Sequence, residues 1–208
     1  MTQVNVTNDI EFGSLSISNI RNIGADLQLN LVGDVTLDNI VSIDDPNSPA
    51  PPADIFITTT GSIDVAGAIN NLHNDADADI ALVANGVDSD ITIDASVSTA
   101  EGSITVQADD QVEFLAAGGR NSADTGDVSV TANADGSDGN DSDGILMADS
   151  SIIDAGSGEI GLFSTGTDGG SIEISSITTT NNSADSVLIQ SNTSVIDGGG
   201  TNTDIVAN

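Results

Sequence analysis

Gly102-Ser-Ile-Thr-Val-Gln-Ala108 and, one unit later, Gly126-Asp-Val-Ser-Val-Thr-Ala132 carry the pattern that decides the fold. In each, an aliphatic residue alternates with a polar one: Ile104 and Val106 in the first, Val128 and Val130 in the second. Successive side chains of a strand point to opposite faces, so this spacing buries one face and leaves the other to solvent. A shorter alternating run follows each stretch, Val112/Phe114 after the first and Ile145/Met147 after the second.

Outward from this pair the arrangement repeats along the chain. Val4/Val6 precedes Ile10/Phe12, Leu27/Leu29/Leu31 precedes Val35/Leu37, and Ile55/Ile57 precedes Ile63/Val65. Ile80/Leu82 precedes Ile91/Ile93, Ile160/Leu162 precedes Ile172/Ile174, and Val187/Ile189 precedes Val195. The first runs begin at 4, 27, 55, 80, 104, 128, 160 and 187, which makes successive units 23, 28, 25, 24, 24, 32 and 27 residues long. Self-similarity at this period is the mark of a solenoid, in which each unit buries its apolar face only by stacking on its neighbours. A third apolar run closes many units: Ile17 and Ile20, Ile40 and Ile43, Ile69 and Leu72, Val97, Leu115, Ile152, Ile177 and Ile205.

The prediction is an all-β chain: a right-handed parallel β-helix of about eight coils, three short strands per coil, about 38 Å long at about 4.8 Å per coil. No segment carries a 3.6-residue apolar stripe over ten or more residues, so essentially no helix is expected. One solenoid domain spans residues 1–208, with insertions at 44–53 and 135–144. The first holds Pro46, Pro49, Pro51 and Pro52, and proline cannot donate to a ladder, so this segment must loop out. Antiparallel sandwiches also alternate in short strands, but near-regular units of this size argue against them.

Charge narrows the function classes. Thirty-three acidic residues face only Arg21 and Arg120, for a formal net charge of −31. Such a surface offers almost nothing to replace the counterions of nucleic acid or anionic lipid, so neither is an expected partner. No apolar stretch approaches the roughly 20 residues that span a bilayer, and membrane insertion is not expected. Disorder is excluded by the 38% of hydrophobic residues spread through the chain. A lysine-free, aspartate-rich surface also suits a high-salt exterior, where screening relieves self-repulsion.

Units of the form G-x-I-x-V-x-A, clearest at Gly102–Ala108, Gly126–Ala132 and Gly158–Ser164, resemble the repetitive β-helical regions of filamentous-haemagglutinin-like adhesins and very large bacterial surface proteins. Ile153-Asp-Ala-Gly-Ser-Gly158 and Ile196-Asp-Gly-Gly-Gly200 are similar to phrases common in such repeats. The resemblance covers most of the chain. It implies export, a cell-surface or extracellular location and an adhesive or structural role, though its motifs describe a fold and not an activity.

Catalysis is not expected. A lyase acting on acidic polysaccharides needs cations to stabilise the developing enolate, and two arginines in separate units do not supply them. Acidic pairs are so abundant that none is diagnostic of glycoside hydrolysis, and Trp and Tyr platforms for sugar are missing. The single histidine, His73, reads as an exposed loop residue.

For a metal the best candidate is the insertion Asp135-Gly-Ser-Asp-Gly-Asn-Asp-Ser-Asp-Gly144. Asp135, Asp138, Asn140, Asp141 and Asp143 could converge on one hard cation, Ca2+ being the natural choice, although the bidentate Glu of an EF-hand is missing. The competing reading is a solvated acidic turn. Asp75, Asp77 and Asp79 form a second acidic group, expected on one strand face. Thr58–Thr60 and Thr178–Thr180 suit exposed strand faces; they are two isolated patches, not the repeated array an ice-binding face needs.

Two function classes follow: a rigid adhesive stalk or self-assembling fibre, and a calcium-dependent carbohydrate- or partner-binding module. The expected partners are the chain itself, stacked end to end, or neighbouring coils of a larger parent, with a surface glycan or protein receptor as a further partner.

Overall fold

The computed structural model describes residues 2–5, 15–43, 53–74, 77–115, 120–134, 144–166, 170–198 and 205–207. Among these residues every strand pairing is parallel and no helix occurs. Strands are numbered in chain order. An 8-stranded sheet contains β1 (Thr2–Asn5), β3 (Leu27–Leu31), β5 (Ile55–Thr59), β8 (Ile80–Ala84), β11 (Ile104–Ala108), β14 (Val128–Ala132), β17 (Ile160–Ser164) and β20 (Val187–Ser191), in that order.

The remaining strands form a 14-stranded sheet with two arms. One arm runs β2 (Leu15–Ile23), β4 (Val35–Ile43), β6 (Ile63–Val65), β9 (Ile91–Ile93), β12 (Val112–Phe114), β15 (Ile145–Met147), β18 (Ile172–Ile174) and β21 (Val195–Asp197). The other runs β7 (Ile69–Asn71), β10 (Ser96–Thr99), β13 (Arg120–Ala123), β16 (Ile152–Asp154), β19 (Ser176–Thr179) and β22 (Ile205–Ala207). β4 joins them, pairing β6 through Val35–Leu37 and β7 through Ile40–Ser42. The bend within β4 falls at Asn39 (φ 53°), and Asn19 (φ 57°) makes the same bend in β2. Asparagine tolerates this left-handed conformation because its short amide can bond locally. The result is a parallel β-solenoid of stacked turns.

Because strands pair in register, side chains stack in columns along the solenoid. Leu27, Ile55, Ile80, Ile104, Val128 and Ile160 form one column, and Leu29, Ile57, Leu82, Val106, Val130 and Leu162 the next. Opposite them stand Val35, Ile63, Ile91, Val112, Ile145 and Ile172. All eighteen are buried, and each contributes roughly 1.5–3 kcal/mol of apolar transfer energy. Phe114 is the largest fully buried side chain, stacked between Ile93 and Met147.

A third set of columns completes the interior: Ile40, Ile69, Val97, Asn121, Ile153 and Ile177. Here the sequence expectation is corrected at several positions, Leu72 among them, which is exposed. Leu115 does not occupy this column; β13 does, and it presents Asn121 inward. In the following unit Ile153 faces in, and the half-buried Ile152 does not. The first strand is also shifted, since β1 begins at Thr2 and pairs Val4 with Leu29, not with Leu27.

The glycines that open the repeat have a steric role. A Cβ at Gly126 would sit 2.2 Å from the carbonyl oxygen of Gly102, one at Gly102 2.0 Å from that of Ala78, and one at Gly158 2.1 Å from that of Gly126. None has a positive φ, so the requirement is close backbone approach between turns, not a left-handed conformation.

Candidate functional site

The flanks of the 8-stranded sheet are where the acidic residues are put to use. At five strands of this sheet, β5, β8, β11, β14 and β17, the residue immediately before the strand turns its N–H along the solenoid. A short acceptor side chain on the turn below takes that N–H. Asp26 Oδ1 accepts from Asp54 N (3.3 Å), Asp54 Oδ1 from Asp79 N (2.9 Å) and Asp79 Oδ1 from Ser103 N (2.7 Å). The series continues with Ser103 Oγ accepting from Asp127 N (3.2 Å) and Asp127 Oδ1 from Glu159 N (2.7 Å). Each upper residue returns its carbonyl to the strand below, as Asp54 does to Leu27 N (2.8 Å) and Asp79 to Ile55 N (2.9 Å).

A second ladder stands at the next corner. Asp34 Oδ1 accepts from Ser62 N (3.0 Å), Ser62 Oγ from Asp90 N (3.0 Å) and Asp90 Oδ1 from Gln111 N (3.2 Å). Asp and Ser suit both ladders because their short side chains place an acceptor close to their own backbone. Sequence reasoning singled out only Asp79 of these acids, in the group Asp75, Asp77 and Asp79. The available signal was their position, one residue before an apolar run.

Stacking carboxylates has an electrostatic cost. Burial holds the Asp54 carboxyl above the ordinary aspartate range, and the neighbouring charges of Asp79, Asp26 and Asp77 push it further up, against the pull of the Asp79 N–H bond. A raised pKa means that the folded chain holds this proton more tightly than the unfolded one does. The stability it confers is therefore complete below the ordinary aspartate range and is lost as pH rises through the folded value. Asp54→Asn keeps the Oδ1 acceptor and removes the charge. The variant is expected to melt above the parent at pH 7 and together with it at pH 3; a lower melting point at pH 7 would overturn this account.

His73 is not an exposed loop residue: its side chain is 1% exposed. Its Nε2 lies 3.1 Å from Ser42 Oγ, which also accepts from Asn22 Nδ2 at 3.2 Å. This chain of polar groups at the end of the third column satisfies buried atoms. A serine–histidine pair has the elements of a nucleophile and its base, and here Ser42 is fully buried. Thr59 and Thr179, the middle residues of the two threonine patches, also face inward: Thr59 Oγ1 donates to the Gly33 carbonyl and Thr179 Oγ1 to that of Gly158 (2.7 Å).

The calcium candidates Asp135, Asp138, Asn140, Asp141 and Asp143 lie outside the described residues, as do Asp75 and residues 44–52 of the proline-rich insertion. Of the second acidic group, Asp77 is exposed and Asp79 is engaged in the first ladder. Among the described residues no group of three or more His, Cys, Asp or Glu side chains is arranged to hold a metal ion, and no helix is long and apolar enough to cross a membrane.

The C-terminal end of the solenoid presents a different surface. Val195 continues the column of Ile172, and Ile205 that of Ile177. Where Ile172 and Ile177 are fully buried, Val195 is 49% and Ile205 43% exposed. Ile196 is exposed beside them.

Comparison of the chain with protein-family models, with curated proteins and with solved structures finds no match.

Proposed function

We propose that this chain is a non-enzymatic structural and adhesive segment of a secreted bacterial surface protein, a rigid stalk or self-assembling extracellular fibre. The observation that carries the reading is the register-matched parallel stack, in which each inward column carries buried aliphatic side chains from turn to turn. A solenoid of this kind is stabilised turn by turn through its nearest neighbours, which suits a rigid, extended element. The resemblance to filamentous-haemagglutinin-like repeats supports a cell-surface location. The scarcity of cations supports a role without catalysis.

In detail, the reading is a right-handed helix of eight coils with three strands each, the two insertions looping out of one domain. Eight strands stack in the first sheet and the two arms of the other lie beside them. Right-handed crossovers between parallel strands are the strong rule. Calcium held by Asp135–Asp143 is the accompanying proposal, as a bridge that neutralises charge between stacked copies.

Negative-stain electron microscopy of the chain at 0.5 M salt, with and without millimolar calcium, tests this. Unbranched filaments support self-assembly, and their dependence on calcium implicates the acidic insertion. Short single rods support a stalk whose ends are covered by neighbouring coils. Round particles sink the reading.

A further inference from the structure

On the outward face of the 8-stranded sheet lies a groove of about 210 Å3, bordered by Asp127, Ser129, Glu159, Gly161, Phe163, Asp185 and Leu188 among others. It exists because of one glycine. In the outward column Phe56, Ala81, Thr105, Ser129, Gly161 and Leu188, only position 161 has no side chain. The Phe163 ring leans into the vacated space: a Cβ at Gly161 would stand 2.6 Å from its Cε2 and 2.9 Å from its Cζ. Leu188, 51% exposed, forms the opposite wall. Asp127, Glu159 and Asp185 stand exposed around this apolar floor, and none of the lining residues is a cation.

We propose that this groove binds a lysine or arginine side chain presented by a basic protein segment. The aliphatic stem would lie against Phe163 and Leu188, with the cationic head near the ring and among the three carboxylates. An aromatic face and a carboxylate rim act on the same cation, one through the ring quadrupole and the other through charge-assisted hydrogen bonds. Charge selects this ligand over others of similar shape. An anionic group would meet three carboxylates on a chain of net charge −31, and a neutral sugar would leave them unneutralised. The site opens on the outward face of the 8-stranded sheet, with Leu188 on β20, the last strand of that sheet.

Trilysine is the probe, titrated into the full chain at 150 mM salt and followed through side-chain methyl resonances. The expected result is saturable binding at one site, with shifts confined to Leu188, Ile160 and Val128. Phe163→Ala should weaken binding about two- to fivefold, the worth of an exposed cation–aromatic contact. Asp127→Asn with Asp185→Asn should weaken it about three- to tenfold. Asp88→Asn with Asp149→Asn removes the same charge elsewhere and should change it by less than about twofold. None of these positions is in the core, and unchanged melting confirms that each variant is folded. Non-saturable binding, or equal losses in both charge-removal pairs, would reduce the effect to diffuse counterion attraction and overturn the site. Phe163-dependent binding of maltotriose without binding of trilysine would overturn the cation and assign the groove to neutral sugar.

Discussion

Gly126→Ala lowers the melting temperature of the isolated chain by about 6–12 °C. The new methyl group would lie 2.2 Å from the Gly102 carbonyl oxygen and 2.3 Å from its carbon, inside any real contact distance. Backbone atoms held by ladder bonds on both sides cannot rotate away as a side chain would. The turns around β11, β14 and β17 must separate, at a cost of about 3 kcal/mol, the upper range for overpacking. For a chain of this length each kcal/mol corresponds to about 2–4 °C. In a solenoid the stability is largely a sum of nearest-neighbour interfaces, so the damage should be local. Limited proteolysis should cut the variant near Asp124–Asp127 before other sites. Thermal melting checks the size of the effect, and a shift under 2 °C would show that the turns can separate freely there.

Asn121→Val works in the opposite direction and raises the melting temperature by about 4–8 °C. Asn121 is fully buried between Val97 and Ile153, and among the described residues neither Oδ1 nor Nδ2 has a hydrogen-bond partner. An amide buried without partners costs roughly 1–3 kcal/mol, and valine replaces it with a β-branched side chain matched to Val97 above or below. A net gain of about 2 kcal/mol follows, since no bond is broken. A lower melting temperature would show that the amide holds a partner that valine cannot replace.

Asn121 is a position where the reading of the sequence and the structure part company, and the reason is physical. Period-2 alternation located nearly every strand of the 8-stranded sheet and its first neighbour, from Leu27 to Val195, because both faces of those strands write their environment into the sequence. The third column was legible only in part. A run of Arg120-Asn-Ser-Ala123 has no apolar residue at its centre, yet its neighbours on both sides hold it in register as β13. A strand built of polar residues is invisible to a method that looks for burial of apolar ones.

The parallel, stacked, helix-free architecture was already determined by the amino-acid order, because a unit near 25 residues repeated this often can bury its aliphatic residues only by stacking. Which acids would matter was not. Asp26, Asp54, Asp79 and Asp127 look like the chain's other carboxylates until the turns are superimposed, when each meets an N–H some 24–32 residues further along the chain. His73 moved from an assumed surface to the interior for the same reason, its partner Ser42 lying 31 residues away. The groove at Gly161 likewise depends on residues from three successive strands, β14, β17 and β20. Spacing along a chain records what each turn buries; contacts between turns depend on register and corner geometry, which exist only once the turns are stacked.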